Sequence, residues 1–168
     1  MGNSQRRTSP MTTSTPRSRE PKHRSTGSYA LVLRLPYRRN IQIDKLGLVE
    51  FPRGHYIYFG SALGGLDARV ARHFSNQKKL HWHADYLSAE APWEHAWQLP
   101  DGKRWECVWA PAAIATDGVD VPAPGFGSSD CRCISHLVRV NNAKEVRELL
   151  RGLSPAPRRL RLKPVHSS

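Results

Sequence analysis

Apolar residues change their period several times along this chain, and each change marks an element. Ser28–Leu35 (SYALVLRL) is rich in strand formers and ends at Pro36. NIQID and LGLVEF read as short strand or hairpin pieces around Asp44–Gly47, and Pro52–Gly54 as a turn. His55–Ala62 (HYIYFGSA) carries the strongest strand signal, and Gly64-Gly65 breaks it. The period then lengthens: Leu66, Val70 and Phe74 stand four apart, which predicts one face of a helix over 66–74. A second helix is predicted over Trp82–Ala91, ended by Pro92, and a strand over WEHAWQL. Arg104–Ala115 reads as helix despite Pro111, Val119–Gly127 as a Pro/Gly loop and Cys133–Val140 as a strand. NNAKEVRELLRG predicts a helix capped by Asn142, with Glu145 at the capping-box position and Gly152 at its end. Strands come mainly first and helices after, without regular βα alternation. The expected fold class is therefore α+β, a small antiparallel or mixed sheet of about three strands flanked by helices.

Charge refines the organisation. The 168-residue chain carries a formal +12, which resembles a nucleic-acid signature. Most of it sits at the ends. Residues 1–26 hold six Lys/Arg against Glu20, and residues 151–168 hold five and no acid. We therefore expect a disordered basic tail over 1–26, one domain over 27–152 and a second basic tail over 153–168. No apolar run approaches the ~20 residues of a membrane helix, and there is no apolar leader core. Three cysteines, an odd count, point to a reducing compartment, here the cytoplasm. The Ser/Thr/Arg-rich, acid-poor start has the composition of an organellar leader, but its prolines oppose an amphipathic helix there.

The chemistry gathers at one corner. Side chains on a strand repeat every second residue, so Tyr56 and Tyr58 point one way, and Tyr29 points with Leu31 and Leu33. Pairing these two strands would bring Tyr29 and Tyr58 to one pocket. The helix after Gly64-Gly65 would aim Arg69 at it, with His73 four residues on, on the same helix face. Phenols and a guanidinium suit a phosphodiester, since arginine makes bidentate contacts with phosphate oxygens. The competing reading makes the tyrosines core aromatics with satisfied hydroxyls, and Arg69 a solvated helix residue.

GSY at Gly27–Tyr29 and YFG at Tyr58–Gly60, followed by Arg69 and His73, resemble the GIY-YIG nuclease motif. With YIYFGSALGGLDARVARH, KKLHWHADYL, the EC at Glu106-Cys107 and PGFGSSDCRCISHL, residues 27–140 resemble a short, largely uncharacterised GIY-YIG-like branch. The resemblance implies a metal-dependent endonuclease acting on DNA, or RNA, in repair or in defence against foreign DNA. It implies that Tyr58 is the general base or orients the attacking water, that Tyr29 holds that water, and that Arg69 stabilises charge on the phosphate. His73 would contact phosphate or assist proton transfer. Glu106 would ligate one Mg²⁺ or Mn²⁺, with Asp85 and Glu94 as the alternative ligands. An ordinary tyrosine has a pKa of about 10, so Arg69 or an acidified water must help Tyr58. Ser28 should face away from the pocket.

Two further sets remain. Arg72, Lys78, Lys79, His81 and His83 form a basic stretch with an aromatic, of the kind that contacts nucleic acid. Cys131, Cys133 and His136 could supply three zinc ligands, with His81 or His83 as a fourth, but C-x-C-x-x-H is not the usual zinc spacing. A strand through 133–140 would also turn Cys133 and His136 to opposite faces, so zinc is not expected. Besides the nuclease, a noncatalytic nucleic-acid-binding module and a small zinc-containing interaction domain therefore stand as alternative functions.

Overall fold

The computed structural model of the chain describes residues 9–11 and 24–162. Its elements run β1 (Gly27–Leu35), β2 (Arg39–Ile43), β3 (Gly47–Phe51), β4 (Gly54–Ala62), α1 (Leu66–Phe74), α2 (His83–Ser88), β5 (Trp93–Leu99), α3 (Glu106–Ile114), β6 (Leu137–Val140), α4 (Ala143–Gly152) and β7 (Arg158–Arg159). The fold is α+β as expected, but the main sheet has five strands, in the order β6-β4-β1-β5-β7, and every pairing in it is antiparallel. β2 and β3 form a separate hairpin. Among the described residues no helix is long and apolar enough to cross a membrane.

β1 is the spine, and all but one of its nine residues are buried. Both faces of the sheet are covered, which explains why its sequence alternates so poorly. On one face Tyr29, Leu31, Leu33 and Leu35 pack with Tyr56 and Tyr58, the β2–β3 hairpin, Leu66 and Val70 of α1, and Ala84 and Leu87 of α2. On the other, Ala30, Val32, Ile57 and Phe59 pack with Trp109 and Ala113 of α3 and Val146 and Leu150 of α4. Each fully buried aliphatic of this size contributes about 1.5–3 kcal/mol. α4 is capped as its sequence predicts: Asn142 Oδ1 accepts from the Glu145 amide at 2.9 Å.

Four boundaries differ from the sequence reading, the first being α2, which ends at Ser88 and not at Ala91. Ser25 and Thr26 already belong to the fold, since their carbonyls accept from Leu66 N (2.7 Å) and Gly102 N (2.9 Å). The rest of the predicted N-terminal tail lies almost wholly outside the described residues. After Gly152 the chain stays packed: Leu153 is buried, Trp109 Nε1 donates to the Pro155 carbonyl at 2.9 Å, and Arg158–Arg159 add a strand to β5. The predicted strand over 133–140 starts only at Leu137, and residues 133–136 turn instead.

Candidate active site

Strand pairing brings the two tyrosines together. In the β1–β4 register Tyr29 sits opposite Gly60 and Leu31 opposite Tyr58, so both phenols lie on one face, with ring centroids 6.5 Å apart. A Cβ at Gly60 would stand 2.5 Å from Tyr29 Cζ and its hydroxyl oxygen. The missing side chain is thus what lets the Tyr29 ring lie across β4. Gly127, at φ +67°, does the same for Tyr58, whose Cε2 would meet an added Cβ at 2.8 Å.

α1 enters this face from above. Its His73 is 1% exposed, and Nε2 lies 2.8 Å from the Tyr29 hydroxyl. Burial, only partly opposed by Asp85, pushes the imidazole down to about 3, so at neutral pH His73 is an uncharged partner that orients Tyr29. It does not line the cleft that Tyr29 and Tyr58 share, and reaches it through the Tyr29 hydroxyl. Tyr58 is pushed up to about 12 by burial, against the opposing pull of Arg69. Tyr29 is likewise raised well above its ordinary value, by burial and then by Tyr58, with Arg69 again opposing. Arg69 pulls both phenols towards the phenolate, but desolvation outweighs it.

The basic residues of this corner separate into two groups. The Arg69 and Arg72 guanidinium carbons lie 4.5 and 4.0 Å from the centre of the Trp82 ring. Arg72 donates to both oxygens of Asp85 at 3.0 Å, and Asp85 also accepts from the His81 and Trp82 amides at 3.0 and 2.9 Å. Asp85 is fully buried, and these donors hold its carboxyl below the usual range although burial alone would raise it. It is a brace between α1 and α2, not a free metal ligand. Lys78 Nζ donates to the His73 carbonyl at 2.5 Å, at the end of α1. His83 Nδ1 accepts from the Gly127 amide at 2.9 Å and holds the 123–127 loop. Arg72, Lys78 and His83 are therefore tied into the fold, whereas Lys79 and His81 stay exposed. Arg69 makes no ion pair among the described residues.

The carboxylate arrives from the far layer. Ser28 faces away from Tyr29, as alternation requires, yet it is not idle. Its Oγ donates to the Lys103 carbonyl at 2.9 Å and accepts from the Trp105 amide at 2.7 Å. This anchors the residues that open α3 and so sets Glu106, whose carboxylate accepts from Ser61 Oγ on β4. Tyr29, Tyr58, Arg69, Trp82, Arg104 and Glu106 together line a cleft of about 260 Å³. Glu94 is exposed in a different groove, with His55, Trp97 and Arg147. Of the three carboxylates weighed from sequence, only Glu106 faces the two phenols and the guanidinium. Trp82, Arg104, Ser61 and the carboxylate of Asp130 were missed as wall residues. Trp82 and Arg104 are the first residues of two predicted helices, and Ser61 follows YFG directly, so only the last adjoined the tyrosine motif.

One wall of the same cleft is formed by Cys107, Cys131 and His136. With Cys133 these residues offer three sulfurs and one imidazole nitrogen, all within 4.8 Å of one another. His136 Nε2 lies 3.4 Å from Cys131 Sγ and 3.7 Å from Cys107 Sγ. The turn at 133–136 is what lets Cys133 and His136 face one point. The fourth member is Cys107, not His81 or His83.

The family model described as Domain of unknown function DUF123 matches residues 28–156. The match spans every helix, the main sheet except for Gly27 and the short edge strand β7, and every residue of the cleft, and the chain belongs to that family. No curated protein and no solved structure matches it.

Proposed function

We propose that this family member is a divalent-metal-dependent phosphodiester hydrolase acting on DNA, in keeping with the resemblance of its GSY and YFG segments to GIY-YIG nucleases. The supporting observation is the convergence of Tyr29, Tyr58, Arg69 and Glu106 on one cleft of about 260 Å³. Glu106 presents hard oxygen ligands to a cleft open to water, which fits Mg²⁺ or Mn²⁺, ions that keep several of their waters. Such a cation supplies Lewis-acid charge and lowers the pKa of water bound to it.

The chain's own groups have separate tasks. Arg69, in no ion pair among the described residues, takes the scissile phosphate through paired N–H donors and meets the charge that develops there. Tyr58, held near 12, is ionised in about one molecule in 10⁵ at pH 7. It acts as a neutral phenol, hydrogen-bonding the attacking water and orienting its lone pair. Tyr29 is fixed by His73 and holds a second edge of that water. Ser61 and the Ser28 anchor keep Glu106 in place. Exposed Lys79, His81 and Arg104 extend a basic rim for the flanking backbone.

The test is cleavage of duplex, branched and single-stranded DNA, and of RNA, with Mg²⁺ or Mn²⁺. Tyr58→Phe and Arg69→Ala should each lower the rate by about 10²–10⁴. Equal rates in wild type and both variants would sink the assignment. Salt-dependent binding without cleavage would instead select the noncatalytic module.

A further inference from the structure

We propose that Cys107, Cys131, Cys133 and His136 form a closed zinc centre in the wall of this cleft, holding the first turn of α3 against the 125–136 loop. Four donors from two separated parts of the chain lie within 4.8 Å of one another. Tetrahedral zinc with sulfur at ~2.3 Å and nitrogen at ~2.0–2.1 Å requires S···N edges of ~3.6 Å and S···S edges of ~3.8 Å. The S···N separations of His136 are 3.4 and 3.7 Å. Three thiolates and an imidazole are soft ligands that select zinc over Mg²⁺.

The surroundings favour the same occupant. The His136 amide donates to Phe126 O at 2.8 Å and its carbonyl accepts from Phe59 N at 3.0 Å, so its backbone is fixed between the loop and β4. With four protein ligands the centre keeps no open position, which is the pattern of a structural zinc rather than a catalytic one. Its effect on the cleft is by placement. Cys107 is the residue after Glu106, so fastening Cys107 fastens the carboxylate, and the same clamp holds Gly127 against Tyr58. The zinc is chemically distinct from the hard cation assigned to Glu106. It does not depend on the hydrolytic reading, because metal content is read without a substrate.

The experiment is zinc analysis of the full chain, purified without an affinity histidine tag under reducing conditions, together with zinc-edge X-ray absorption. The expected result is one zinc per chain, as purified or after incubation with one equivalent, with a shell of three sulfurs and one nitrogen. Cys107→Ala and Cys133→Ser should lose the metal, and His81→Ala and His83→Ala should keep it. Less than about a tenth of an equivalent in the reduced wild type after zinc incubation would overturn the proposal. So would a shell of nitrogen and oxygen only, or zinc retained in Cys107→Ala and lost in His83→Ala. Should the cysteine variants fail to fold, wild-type stoichiometry and the sulfur count decide by themselves.

Discussion

Neutral His73 is the pivot of the candidate site, and its burial can be read as a dependence of stability on pH. In the folded chain its pKa is about 3, whereas in the unfolded chain it returns to about 6.5. The unfolded state therefore binds the extra proton first, and stability is lost as pH falls below about 6.5, down towards 3. Linkage gives a loss of about 0.2 kcal/mol at pH 7 and about 2 kcal/mol at pH 5. Because pH 5 lies well above the folded value, the unfolded chain's ordinary pKa sets nearly all of that figure. His55, His83, His95 and His136 are also lowered by burial and add losses of the same sign. The His73 share must be isolated by difference. Urea unfolding of wild type and His73→Gln at about pH 7, 6 and 5 does this. His73→Gln should be less stable at pH 7, because Tyr29 loses its partner. Between pH 7 and 5 it should lose about 2 kcal/mol less than wild type. Parallel stability curves for the two proteins would refute the reasoning, and so would a His73 ring proton resonance that titrates near pH 6.

Two other substitutions probe the scaffold. Asp85→Ala removes a fully buried carboxylate that holds Arg72 and two backbone amides. It should cost about 2–4 kcal/mol in denaturant unfolding, since Arg72 and both amides lose a buried charged acceptor; a loss under about 1 kcal/mol would count against the brace. Gly60→Ala places a methyl 2.5 Å from the Tyr29 ring. It should destabilise by about 1–3 kcal/mol and reduce cleavage with it, because the ring cannot retreat without leaving His73; unfolding and nicking assays on one preparation read both.

Much of the local structure was legible because it rests on short-range physics. The 66–74 helix follows from Leu66, Val70 and Phe74 at helical spacing, the α4 cap from Asn142 and Glu145, and the strand at 55–62 from its aromatic and β-branched run. The pairing of Tyr29 with Tyr58 was equally accessible, since alternation on two neighbouring strands leaves both on one face. The edge strands β6 and β7 carried weaker signals, four and two residues long, and exist because longer neighbours offer them a ladder.

What only the tertiary structure decided was which charges were already spoken for and which distant residues meet. Nothing within a few residues of Asp85 marks it as bound by Arg72, thirteen positions away, and nothing near His83 marks it as the acceptor for the Gly127 amide. Both read as available groups until packing across the fold gave them partners. Cys107 lies 24 residues before Cys131, too far for spacing to connect them, and a turn at 133–136 in place of a strand brings Cys133 and His136 to face the same point. The sequence by itself determined most of the elements and the two tyrosines, because dihedral preference and side-chain alternation act over a few residues. The availability of each arginine, acid, histidine and thiol was settled by desolvation and by contacts made across the fold.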